Sequence, residues 1–200
     1  MAGLLARKIE MTRVIKDDRF IPVTLLEVPQ MQVVGYKTAE KDGYSAVIVG
    51  IVKKEKAELA SDKKGLNAKS FSIIKEFPIE QSNEGVKEIG SEVGFDDLDG
   101  VEVVTITSIS KGHGFSGAMK RHNFSGGPGS HGSKFHRALG SIGNRKPVRT
   151  HKGKKMHGHY GVDTVTLRDV KLEIINKQAG IIAVRGPVPG ARNSLVNIYL

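Results

Sequence analysis

Between Val103 and Val162 the chain carries eleven lysines and arginines, all seven of its histidines and twelve of its 24 glycines, and not one Asp or Glu. The cations are Lys111, Lys120, Arg121, Lys134, Arg137, Arg145, Lys146, Arg149, Lys152, Lys154 and Lys155. The histidines are His113, His122, His131, His136, His151, His157 and His159. A dinucleotide site is the first chemistry to weigh, because Gly112-His-Gly114-Phe-Ser-Gly117 is a literal G-x-G-x-x-G behind an expected strand. That motif needs a helix opening at it and an acidic residue about 20 positions on for the ribose. Lys120-Arg-His-Asn-Phe124-Ser-Gly-Gly-Pro128 does not read as a packed helix, and no acid occurs before Asp163. Nor does a G-K-[ST] phosphate loop occur anywhere in the chain.

Metal chemistry is invited by His157-Gly-His159 and by His131 with His136. Zinc and iron sites draw as well on Cys, Asp or Glu, with carboxylates behind the histidines to orient them. Here those residues are missing and the surrounding cations repel a divalent ion. General acid/base catalysis lacks the same carboxylate partner. No metal, cofactor, catalytic residue or small-molecule substrate is therefore expected.

Polyanion binding uses every residue type present. Lys and Arg neutralise phosphates and release counterions, and glycines let backbone N–H groups approach. His, Phe and Arg stack on unpaired bases. DNA groove reading fits poorly, because neither a recognition helix nor a zinc finger is expected. The segment reads as RNA-binding, against the blander possibility of a solvated basic loop. The candidate contacts are Lys111, His113, Lys120, Arg121, His122, His131, Lys134, His136, Arg137, Ser141, Asn144, Arg145, Lys146, Arg149, Lys152, Lys154, Lys155, His157 and His159.

Something must carry this segment. The chain has 200 residues and a net charge of +10, so removing the eleven cations leaves a body near neutrality, at −1 (20 basic, 21 acidic). Strands are expected at Ile21–Val28, Met31–Ala39, Tyr44–Val52, Phe71–Phe77, Val86–Val93, Val101–Ile109, Asp163–Ile175, Ile181–Arg185 and Leu195–Tyr199, from β-branched runs bounded by turn residues. Tyr44–Val52 is nearly all apolar, as in a strand covered on both faces. From Lys111 to Gly161 neither a period of 2 nor one of 3.6 is sustained. That stretch cannot bury enough apolar surface to offset its own ordering entropy, so a partner outside the chain is expected to order it. The expected architecture is a mostly β body of residues 1–109 plus 162–200, with a short helix near 61–70, and a basic extension of 110–161 inserted between strands. With no cysteine, disulfides and thiolate sites are excluded. The longest apolar run, Ala46–Val52, is far below the roughly 20 residues of a membrane span, and no amphipathic face suits a membrane surface. A cytoplasmic protein is expected.

Five motifs in one order carry a resemblance. Thr107-x-x-Ser110-Lys-Gly-His-Gly-Phe-Ser-Gly117, Lys120-Arg-His-Asn-Phe124, His131-Gly-Ser-Lys-Phe-His-Arg137, Gly140-Ser-Ile-Gly143 and Lys152-Gly-Lys-Lys-Met156 resemble the large-subunit ribosomal protein L-three family, bacterial type. Gly3-Leu4 with Met11-Thr12-Arg13, and Val184-Arg-Gly-Pro-Val-Pro-Gly190, resemble its terminal signatures. The resemblance implies a β-barrel like that of translation factors and an extension penetrating large-subunit (23S-type) rRNA toward the peptidyl transferase centre, deepest near Phe135–Arg149. It also implies a role in nucleating subunit assembly, neighbouring large-subunit ribosomal proteins as partners, a place on the cytoplasmic ribosome, and no enzymatic activity. The chain departs from the family pattern at Ala6 and Glu10, where glycines are usual, and at Asn144, where some members carry a methylated glutamine. An RNA-chaperone barrel outside the ribosome is the nearest alternative. A nucleotide-dependent enzyme using Gly112–Gly117 is a remote one.

Overall fold

The computed structural model describes residues 3–53, 70–79 and 87–200, so the helix expected near 61–70 falls outside the described residues except at Ser70. Two compact units result: residues 1–109 with 164–200, and Ser110–Asp163. Val162 and Asp163 fall in the second.

The first unit is built from β-strands. In chain order they are β1 (Gly3–Lys16), β2 (Arg19–Glu27), β3 (Met31–Lys37), β4 (Ala46–Val52), β5 (Phe71–Pro78), β6 (Glu92–Val93) and β7 (Val103–Ile109). A single turn of helix, α1 (Ala39–Asp42), precedes β4 and ends at Gly43, whose φ of 81° is the left-handed cap that glycine adopts without penalty. β10 (Thr164–Asn176), β11 (Ile181–Arg185) and β12 (Leu195–Tyr199) complete the unit. Six strands close a barrel in the order β1-β12-β7-β10-β11-β2, every pair antiparallel. Four others form a sheet ordered β5-β4-β3-β6. One apolar core serves both, from Leu4, Leu26, Ile106, Ile182 and Ile198 of the barrel to Met31, Val49 and Phe77 of the sheet.

Two sequence expectations change. Of the strand expected at Val86–Val93, Val86 lies outside the described residues and the rest is strand only at Glu92–Val93, because Glu88–Ser91 closes a turn in which Ser91 N–H bonds the Glu88 carbonyl at 3.1 Å. The longest strand, β1, carries no sequence signal. Its first four residues are buried without alternation and the rest run half-buried to exposed. Successive side chains point to opposite faces, so burial of Leu4, Leu5 and Ala6 alike means that both faces are covered there, which erases the period of two. Ala6 pairs with Val196, Arg7 faces both Leu195 of β12 and Glu27 of β2, and a register shift between Lys8 and Glu10 then interrupts the pairing with β2.

Candidate nucleic-acid interface

The second unit starts from a stem. β8 (Phe115–Ser116) and β9 (Gly158–His159) pair antiparallel, with Phe115 opposite His159 and Ser116 opposite Gly158. Backbone bonds continue the pairing outward: His113 N–H to Tyr160 O at 2.8 Å, Tyr160 N–H to Gly114 O at 2.9 Å, and Ser110 N–H to Asp163 O at 2.9 Å. The His113 and Tyr160 rings stack at 5.0 Å and 24°. Gly161 has φ of 82° and backs onto the Lys111 carbonyl, so no side chain fits there. This stem was not legible from periodicity, because its stabilisation is backbone pairing and glycine close approach, with little apolar burial.

A helix follows where none was expected. α2 (Ala118–His122) is five residues long, buries only Ala118 and closes on Asn123 in the left-handed conformation, φ 58°. Small Ala118 beneath and a free Asn cap permit it despite three consecutive basic residues, which sit favourably in its last turn. It does not revive a dinucleotide site, since the acid such a site requires is still absent.

Beyond α2 the chain folds back on itself through main-chain contacts. Gly127 N–H bonds the His136 carbonyl at 2.9 Å, and His136 Nδ1 donates to the Pro128 carbonyl at 3.0 Å. A carbonyl only accepts, so that nitrogen carries the ring proton. Gly126 and Gly127 abut the His136 and Phe135 carbonyls too closely for any Cβ. Past this crossover nothing is buried: every residue from Gly140 to Lys155 is exposed. That run presents Ser141, Asn144, Arg145, Lys146, Arg149, Lys152, Lys154 and Lys155 together, and Val148, at 93% exposure, stands among them. Ser141 turns its hydroxyl to the Gly143 carbonyl at 3.0 Å.

The other sequence candidates divide. Lys111, His113, Lys120, His131, Lys134, His136, Arg137, His157 and His159 are exposed. Arg121 and His122 are half-buried and turned inward, both onto the Met156 carbonyl. Phe115 is 77% exposed with its ring 5.4 Å from that of His157, offering a flat apolar surface beside an imidazole. Among the described residues no ion pair engages a cation of this unit; those present join Lys16, Lys37, Lys87, Lys177, Arg185 and Arg192 to acids of the first unit. Its positive charge is therefore uncompensated. Also among the described residues, no three His, Cys, Asp or Glu side chains gather as a metal site. No helix among them is long and apolar enough to cross a membrane.

Sequence reasoning missed Met156 and Tyr160, which anchor the returning arm through their carbonyls. A backbone acceptor belongs to every residue type and leaves no signature.

The family model for Ribosomal protein L3 matches residues 92–183, spanning the strand before the second unit, the unit itself and the strand after it. A protein of Thermosipho africanus named large ribosomal subunit protein uL3 is 44% identical over 201 residues, covering 99% of this chain and 97% of its own. Proteins of the same name from Thermotoga maritima and Borreliella afzelii are 44% and 42% identical, over 99% and 98% of this chain and 96% and 97% of theirs.

Proposed function

This chain belongs to the ribosomal protein L3 family, and from that premise we propose that it is a structural constituent of the large ribosomal subunit, held there through rRNA by the Ser110–Asp163 unit. In this reading the exposed run from Gly140 to Lys155 enters the 23S-type rRNA and is directed toward the peptidyl transferase centre. Neighbouring large-subunit proteins are its further partners, and the protein helps to nucleate assembly. It acts by shape and charge, without a catalytic residue or cofactor.

One observation carries the proposal. Eleven cations lie in a stretch without any acid, and its distal part has neither a core nor an ion pair to occupy them. In water such a run is costly to hold in one conformation, and packed rRNA supplies what it lacks: phosphates for the cations and base faces for the exposed rings. Sedimentation of lysate containing the tagged protein tests it. The protein should run with large subunits and stay there through a high-salt wash. A protein that washes off into free fractions would instead be an RNA-binding barrel outside the ribosome.

A further inference from the structure

Arg121 and His122 belong to the basic run by sequence, yet both are half-buried and turned onto the main chain. Arg121 Nη1 donates to the Met156 carbonyl oxygen at 2.9 Å, and His122 Nε2 lies 3.0 Å from the same oxygen. Because that oxygen can only accept, Nε2 carries the proton in the contact. Two consecutive residues in the last turn of α2 thus converge on one backbone atom of the returning arm. Their target is well placed: Met156 directly follows Lys152-Gly-Lys-Lys155 and precedes β9. A third residue makes room for the arrangement. A Cβ at Gly158 would stand 2.6 Å from Arg121 Nη1 and 3.3 Å from its Cζ, so the guanidinium occupies the space a side chain there would need.

We propose that Arg121 and His122 are positioning residues that clamp the Met156 carbonyl, with Gly158 as the seat of the guanidinium, and so fix where Lys152, Lys154 and Lys155 are presented to RNA. The inference rests on the RNA-binding reading above. Its logic is entropic: an arm already held at Met156 loses less freedom on binding than an arm that is loose. A direct phosphate contact and a clamp differ in one measurable respect. Removing a cation from a phosphate lowers the slope of log affinity against log salt by about 0.7–0.9, whereas loosening an arm that keeps its charges lowers affinity at nearly constant slope.

The test uses the full chain, purified large-subunit rRNA as probe, and four variants beside a reference. Gly158→Ala changes no charge and needs no unusual backbone angle, yet displaces the guanidinium. It should weaken binding roughly tenfold with the wild-type salt slope, and Arg121→Ala should do the same. Lys154→Gln, at an exposed position, is the reference and should flatten the slope by about 0.7–0.9. His122→Ala should weaken binding, and His122→Gln, which keeps an N–H at similar reach, should restore it. Without RNA, trypsin should cut after Lys152, Lys154 and Lys155 several-fold faster in Arg121→Ala and Gly158→Ala than in the wild type. Arg121→Ala flattening the slope like Lys154→Gln, with Gly158→Ala silent in binding and in proteolysis, would overturn the clamp and place Arg121 on a phosphate. If the wild type shows no salt-dependent rRNA binding, the RNA-binding reading fails, and the clamp then stands or falls on the trypsin rates alone.

Discussion

Ile109 and Thr164 are Cα partners at the adjoining ends of β7 and β10, antiparallel neighbours in the barrel wall. The chain therefore leaves the barrel at one strand end and returns at the end beside it. Nothing in the register of β7 with β10, from Thr164 opposite Ile109 to Lys171 opposite Val103, depends on how long the intervening segment is. Replacing Lys111–Gly161 by a short Gly/Ser turn should leave a barrel that melts in one cooperative step. Each halving of a loop changes closure entropy by only about 0.6 kcal/mol, here in the favourable direction. The same deletion should abolish stable incorporation into large subunits. Circular dichroism melts and subunit profiles read the two halves separately.

Phe77 joins the four-stranded sheet to the barrel. It is fully buried, meets the Tyr199 ring edge-on at 5.4 Å and 68°, and lies against Gly3, where a side chain would collide with the ring. Phe77→Ala should cost about 3–5 kcal/mol of unfolding free energy, measured by denaturant titration. Its rRNA salt slope should stay unchanged, because no phosphate contact is lost.

The sequence was most informative where one physical signal dominated. The β-branched runs of β4 and β11 made those strands plain, and the acid-free stretch from Val103 to Val162 marked the basic unit by charge alone. It was silent where structure rests on the main chain. β1 is covered on both faces over Gly3–Ala6, so no alternation survives, and the β8–β9 stem is two residues a side. Val162, a β-branched residue at φ 60°, is a strained position that only the neighbouring chain geometry imposes. Arg121 looked like any other cation until its guanidinium was found on the Met156 carbonyl.

Acid should weaken the first unit through Glu76. Tyr44 donates its hydroxyl to Glu76 at 2.6 Å, Lys37 Nζ approaches the same carboxylate at 3.0 Å, and these bonds, that of Tyr44 foremost, hold the Glu76 carboxyl below the usual glutamate range. A carboxylate depressed in the folded state adds stability that is present above its unfolded pKa and lost as pH falls through the folded value. Lys37 is shifted upward by its bonds to Tyr44 and Glu76, so its contribution is full below its unfolded value of 10.5 and fades only at higher pH. Glu76→Gln should lower stability at neutral pH and flatten the acid limb below the usual glutamate range. Denaturant midpoints between pH 7 and about pH 3 check it, and an unaltered acid limb would assign that limb to other carboxylates.

Lys152, Lys154 and Lys155 offer the sharpest reading of the basic unit. They are exposed, lie within four residues of one another, and have no acid between Val103 and Val162 to neutralise them. If all three sit on phosphates, changing them together to Gln should flatten the log–log salt dependence of rRNA binding by about 2–3 units. Affinity at low salt should fall far more than affinity at high salt, since counterion release is largest where salt is scarce. The barrel should be untouched, because no described ion pair or hydrogen bond joins these side chains to it, and its melt serves as the control. A fall in affinity at unchanged slope would mean the cluster shapes the arm without meeting phosphate. No change in either would make it solvated surface and move the RNA contacts toward Arg137, Arg145, Lys146 and Arg149.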